Sequence, residues 1–222
     1  MEREWGLMSD GSFSFHVARI SLPEGAATKE ALYEMVKSPE LEMASKQLAD
    51  AGVDLICFGC TIGSLMGGAR WDQKIIRRVE KTSGIQATTT STEVLRSLRQ
   101  LGARLISIAT PYLDELNQLE RGFLEAHGFK VAAIKGLQLE KDRDIARQSP
   151  EGVAALAREV FTTETDCMFI SCTNFRTFEV IETLEREFDV PVISSVQASL
   201  WGSLRRLGLK RILNGVGSLM KS

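Results

Sequence analysis

Two apolar runs that each end in Cys-Thr constrain this chain more than any other feature: Asp54-Leu-Ile-Cys-Phe-Gly-Cys60-Thr61 and Asp166-Cys-Met-Phe-Ile-Ser-Cys172-Thr173. They are the clearest marks of an internal duplication. Phe15, Val17, Ala18 and Ile20 recur as Phe129, Val131, Ala132 and Ile134, and Ser97-Leu-Arg-Gln-Leu-Gly102 recurs as Ser203-Leu-Arg-Arg-Leu-Gly208. The offsets, 114, 112 and 106 residues, keep the order and differ only by loop lengths. Two such halves facing one another deliver one thiol from each side to a single ligand, an arrangement suited to chemistry on two faces of one carbon skeleton.

Strand-like and helix-like segments alternate along both halves. Periodicity and breakers predict strands at 13–22, 54–60, 85–90 and 104–109, and helical sequence at 29–51 with an interruption near Ser38-Pro39, at 71–82 and at 91–101 with Ser91 or Thr92 as N-cap. The second half continues with helices at 113–127, 150–161, 176–188 and 198–207, and strands at 130–136, 167–171, 191–196 and 211–216. Alternation of this kind demands parallel sheets with right-handed crossovers, and ligands then bind beyond the carboxyl ends of the strands. The fold class is therefore α/β: two pseudo-symmetric parallel-sheet domains, 1–102 (joined by 210–222) and 103–209, with the active site in the cleft between them. In the second half a strand and a helix precede 130–136, whereas before 13–22 only a helix-like 1–5 is present. The first domain is thus expected to lack its opening strand, with a native start about 15 to 25 residues upstream by ordinary strand and loop lengths.

At 222 residues with 44% hydrophobic content, the chain is large enough to bury a substantial core. Its 27 basic and 29 acidic residues leave a formal charge of -2, which gives no global pull toward nucleic acid or an anionic membrane. No apolar run approaches the roughly 20 residues that a membrane-spanning helix needs, and no leader pattern is present, so the expectation is a cytoplasmic protein with four reduced cysteines. Cys60 and Cys172, at strand ends, are the candidate reactive thiols, with acidity raised by helix N-termini or backbone N–H groups. The helix at 176–188 suits Cys172, while the glycine-containing stretch 61–68 after Cys60 reads as an anion nest. Cys57 and Cys167 lie inside the runs and read as core. His16 and His127 stand at no ligand spacing, so no metal is expected. The common nucleotide and dinucleotide loops and the serine-hydrolase elbow are missing, which favours chemistry without a cofactor. Hydroxyl-rich strand ends at 88–92 and at Ser194-Ser195 suit either carboxylate binding or helix capping, and capping is the better reading for Ser91 and Thr92.

The runs Gly59-Cys-Thr-Ile-Gly-Ser64, Gln86-Ala-Thr-Thr-Thr-Ser-Thr92, Ala109-Thr-Pro-Tyr-Leu-Asp114 and Ser171-Cys-Thr-Asn174, in this order, resemble the aspartate/glutamate racemase superfamily. The similarity is to its maleate cis-trans isomerase and arylmalonate decarboxylase branch, which includes proteins of ectoine utilisation. It spans nearly the whole chain. The resemblance implies a cofactor-independent enzyme acting on a small carboxylate, often as a homodimer or larger homo-oligomer. It makes Cys60 and Cys172 the catalytic pair, Tyr112 a substrate contact, and Thr61 and Thr173 carboxylate-binding residues. Arylmalonate decarboxylases keep only the second cysteine, so Cys60 argues for the two-thiol isomerases and racemases. The alternatives are an amino-acid or hydantoin-type racemase, an arylmalonate-type decarboxylase, and a non-catalytic carboxylate-binding relative. The chain departs from the isomerase pattern in two ways. An asparagine-bearing loop expected before residue 1 is missing, and Asp142 stands where the isomerases carry asparagine, so that its carboxylate repels a dicarboxylate.

Overall fold

A computed structural model describes residues 1–9 and 11–222. The alternating sequence pattern yields two parallel sheets, one of two strands and one of four. The first half runs α1 (Glu2–Met8), an extended stretch, a short 3-10 turn at Pro23–Gly25, α2 (Lys29–Lys37), α3 (Glu40–Asp50), β1 (Ile56–Phe58), α4 (Thr61–Leu65), α5 (Trp71–Ser83), β2 (Ala87–Thr89) and α6 (Thr90–Gln100). The second runs β3 (Leu105–Thr110), α7 (Asp114–Ala126), β4 (Lys130–Gly136), α8 (Asp142–Ala146), α9 (Pro150–Val160), β5 (Cys167–Ile170), α10 (Phe178–Phe188), β6 (Val192–Ser194) and α11 (Ser195–Arg206). The break between α2 and α3 falls at Ser38-Pro39, where proline cannot donate to the preceding turn.

The duplication is visible in the sheets. The larger has the order β4-β3-β5-β6, with Ile106 paired to Cys167 and Met168 to Val192, and β1 pairs with β2 in the same parallel sense as β5 with β6. Residues 13–22, the counterpart of β4, form no strand. β4 is held in its sheet through β3 alone. Among the described residues no strand stands between 13–22 and β1, so the ladder bonds that would make this run a strand have no donor or acceptor. Val17 is accordingly 48% exposed.

Three further expectations are corrected. Residues 211–216 form no strand, and side chains take backbone groups at the end of the run: Glu182 accepts from the Gly215 N–H at 3.1 Å, and the Gln197 amide donates to the Val216 carbonyl. Stretch 61–68 opens as helix α4 rather than as a loop, with Cys60 as its N-cap. Thr89, not Ser91 or Thr92, caps α6 by accepting from the Thr92 N–H at 3.2 Å.

The halves meet along α6 and α11. The Ser199 hydroxyl donates to Thr90 Oγ1 at 3.0 Å, and the buried Glu93 carboxylate receives Arg96 at 2.7 Å and Arg206 at 2.6 Å. Gly202 permits this approach, since a Cβ there would collide with the Glu93 side chain. Ile106, Ile108, Phe169, Ile170, Val192 and Ile193 fill the core of the larger sheet. Among the described residues no helix is long and apolar enough to cross a membrane.

Candidate active site

The carboxyl ends of β1, β3 and β5 open onto one cavity of about 630 Å³ whose wall includes Cys60, Thr61, Tyr112, Asp142, Cys172 and Thr173. All five residues expected to form the site thus lie together. Register explains why: Ala109 pairs with Ile170, so the turns that follow β3 and β5 carry Tyr112 and Cys172 side by side. An arm of the cavity runs along the open edge of β1 toward Phe13, Phe15 and Val17.

Each thiol is held by a backbone N–H in its own turn. Cys60 Sγ accepts from Gly63 at 3.3 Å, and Cys172 Sγ accepts from Asn174 at 3.3 Å. Cys172 sits at φ 110, a backbone conformation that side-chain-bearing residues rarely adopt, and is fixed there because its N–H donates to Ser195 Oγ at 3.0 Å. The helix expected over 176–188 begins at Phe178, and the Cys172 thiol is surrounded by the turn that precedes it.

Two hydroxyl bonds tie the pseudo-equivalent turns across the cleft. Thr61 Oγ1 donates to Ser195 Oγ at 2.9 Å, so that Ser195 receives both Thr61 and the Cys172 N–H, and Thr173 Oγ1 donates to the Gly59 carbonyl at 3.1 Å. Both threonine hydroxyls therefore join the halves.

The electrostatics differ from the expectation of acidic thiols. Burial pushes Cys60 up to about 12, against the Gly63 N–H, and charge on Cys172 or Asp142 pushes it further. Burial also lifts Cys172, to about 11, with Asn174 N–H and the Tyr112 hydroxyl opposing it and Asp142 adding to it. Both are neutral thiols near pH 7, and ionisation of either disfavours ionisation of the other. Asp142 faces the site as expected, and its carbonyl accepts from the Asn174 side-chain amide at 3.1 Å.

Cys167 is fully buried, as its place inside β5 demands, but Cys57 is only half-buried and lines the cavity arm, because the outer edge of β1 is open. The hydroxyl cluster at 88–92 packs between helices outside the cavity wall. Among the described residues no cluster of three or more histidine, cysteine or acidic side chains could hold a metal ion. Ser195 is the residue whose role the sequence conceals, since a strand-end serine reads equally as a cap. Glu4 is another. Its carboxylate receives the N–H groups of Thr177 at 2.6 Å and Phe178 at 2.7 Å, anchoring the start of α10 and the far end of the Cys172 turn.

The sequence profile of the arylmalonate decarboxylase family matches residues 13–220. A maleate isomerase from Nocardia farcinica is 30% identical over 94% of this chain and 84% of its own length, and an arylmalonate decarboxylase from Bordetella bronchiseptica is 30% identical over 68% of this chain and 66% of its own. A solved structure of a cysteine-to-serine mutant of the Nocardia farcinica maleate cis-trans isomerase, with a covalently bound succinylcysteine intermediate, superposes with a TM-score of 0.89 at 26% identity, covering 95% of this chain and 87% of that one. The chain belongs to the arylmalonate decarboxylase family, in the maleate isomerase and arylmalonate decarboxylase branch of the aspartate/glutamate racemase superfamily. Its family and fold set it among isomerase- and racemase-like enzymes.

Proposed function

We propose that this chain is a cofactor-independent cis-trans isomerase of a small unsaturated dicarboxylate of the maleate kind, with Cys60 and Cys172 as its catalytic pair. The observation that carries the reading is the delivery of two thiols, from equivalent turns of the two halves, to one cavity wall. Both thiols are neutral in the resting site, so Cys60 first loses its proton to solvent, and because ionisation of one disfavours ionisation of the other Cys172 then stays protonated, the division that a nucleophile and a proton donor need. The Cys60 thiolate adds to one alkene carbon, the π electrons pass to the neighbouring carbon, and the Cys172 thiol gives that carbon its proton. The central bond is now single and rotates. Removal of a proton by the Cys172 thiolate then expels the Cys60 thiolate and leaves the trans alkene, so one high barrier becomes two lower ones. The succinylcysteine described for the Nocardia farcinica relative supports this order of events. Tyr112 donates to the Cys172 thiolate or to a substrate carboxylate, and Thr61 and Thr173 offer backbone N–H groups, since their hydroxyls are occupied.

Asp142 favours a second reading. A carboxylate on the cavity wall suits a substrate carrying an ammonium group, and the same thiol pair then works as base and acid on opposite faces of an α-carbon in amino-acid racemisation. Proton NMR in D2O with maleate, amino acids and arylmalonates separates the cases. Alkene conversion supports the isomerase, α-deuteration the racemase, and loss of a carboxylate a decarboxylase; no change with any of the three refutes the enzymatic reading for these substrate classes.

A further inference from the structure

The loop that carries Cys172 is tied at both ends to Ser194-Ser195, where β6 passes into α11. At its start the Cys172 N–H donates to Ser195 Oγ at 3.0 Å, and at its far end the buried Thr177 hydroxyl donates to Ser194 Oγ at 2.8 Å. The far end has a second anchor. Thr177 is the N-cap of α10 but supplies no side-chain cap, and the N–H groups of Thr177 and Phe178 go instead to Oε1 of Glu4, a residue of α1. Thr177 Oγ1 lies 3.2 Å from the same oxygen. Glu4 is buried and its Oε2 has no partner, so all of its bonding goes to this one place. α1 itself is seated beside it, where the Trp5 indole N–H donates to the Val196 carbonyl at 3.2 Å.

We infer that Glu4 is a positioning residue for Cys172: from α1 it keeps the loop 172–177 closed and so governs the reactivity of one thiol of the pair and not of the other. Cys172 sits at φ 110, and a backbone held there persists only where its surroundings over-determine it. Ser195 fixes the start of the loop and Glu4 the end. Between them the Asn174 amide donates to the Asp142 carbonyl and the Phe175 ring is buried, but these contacts hold side chains, whereas Glu4 holds the backbone. Without Glu4 the N–H groups of Thr177 and Phe178 are left inside the protein unpaired, and water reaches them only when the loop opens. Opening carries Cys172 out of its enclosure. Cys60 stands apart, since its own turn is closed by the Gly63 N–H on its sulfur and leads into α4. The inference rests on the proposed two-thiol reading and assigns control of its second thiol.

The test follows iodoacetamide alkylation of Cys60 and Cys172 in the same sample of the full chain, by peptide mass spectrometry and without substrate. Cys60 is the internal control. Glu4→Met fills the space without an acceptor, while Glu4→Gln keeps an acceptor oxygen without the charge, so the two variants remove the same charge and differ in the bonds they leave. Losing one hydrogen bond to a charged acceptor is enough to raise the open fraction of the loop about tenfold. Glu4→Met is therefore expected to raise the alkylation rate of Cys172 relative to Cys60 by roughly tenfold or more. Glu4→Gln falls between it and the parent, about threefold, because a neutral bond is about half as strong as a charge-assisted one. Equal rises at Cys60 and Cys172 mean general loosening, equal rates in the two variants mean an effect of charge alone, and no rise at Cys172 means no anchor; each overturns the inference. Glu4→Ala keeps the outcome decisive if Glu4→Met does not fold. A selective rise at Cys172 in a protein that leaves maleate unchanged would uphold the anchor and count against the isomerase reading alone.

Discussion

Ser195→Ala removes a single oxygen on which both halves of the site depend. In the native protein that oxygen, fully buried, accepts from the Cys172 N–H at 3.0 Å and from the Thr61 hydroxyl at 2.9 Å. Alanine leaves both donors without a partner. An orphaned buried donor costs about 1–3 kcal/mol; the Thr61 hydroxyl can rotate toward another acceptor and belongs near the low end, while the fixed Cys172 N–H belongs near the middle. The expected destabilisation is therefore about 2–4 kcal/mol, or about 4–16 °C in melting temperature for a chain of this size. The Cys172 turn, held at φ 110, also loses the bond that fixes it, so turnover falls by more than the stability loss would suggest. Urea unfolding gives the first quantity and the NMR rate the second. A change below about 0.5 kcal/mol, the range of ordinary surface substitutions, with unaltered turnover would refute the claim that Ser195 joins the two turns.

Three other outcomes follow from the same structure. Tyr112→Phe leaves Cys172 without its phenol donor, so the thiol moves further up and the proton-transfer step slows, while the fold, which keeps the ring buried, changes little; thiol alkylation rates and thermal melts read the two effects separately. Glu120 has its folded pKa raised to about 8 by burial, so its contribution to stability is full below the ordinary carboxylate range and is lost as pH rises through about 8; the melting temperature of Glu120→Gln relative to the parent should therefore climb between pH 5 and pH 9, and a constant difference would contradict this. Hydrogen exchange should find the amides of β1 less protected than those of β5, because β5 is paired on both sides and β1 on one only; equal protection would mean that the outer edge of β1 is covered in solution.

Much of the site was legible because duplication leaves a mark that chance does not. Cys60-Thr61 and Cys172-Thr173 end equivalent strands, one in each parallel sheet, and both sheets turn the carboxyl ends of these strands to the same cavity. Run 13–22 misled because its alternation is that of a strand, and alternation cannot say whether a neighbour is present to complete the ladder. Residues 211–216 misled for the opposite reason, since Glu182 and Gln197 take the Gly215 N–H and the Val216 carbonyl of a run that reads as strand. Thiol acidity was misjudged because a strand-end position promises N–H donors but does not report how deeply the sulfur is enclosed. Glu120 did leave a trace. It falls between Leu116 and Phe123 on the buried face of α7, a charged residue at an apolar position, and such a residue asks for a partner.

The central claim is that one substrate is worked on by both thiols, and the rate of maleate-to-fumarate conversion by proton NMR in the parent, Cys60→Ser and Cys172→Ser proteins tests it most directly. Serine keeps the shape and supplies a hydroxyl that forms no useful anion, so each single variant is expected to remain folded and to lose well over tenfold in rate, more than about 1.4 kcal/mol of barrier. Retention of turnover to within about tenfold of the parent by either variant would mean that its thiol does not touch the reacting carbons, and the two-thiol account would fail.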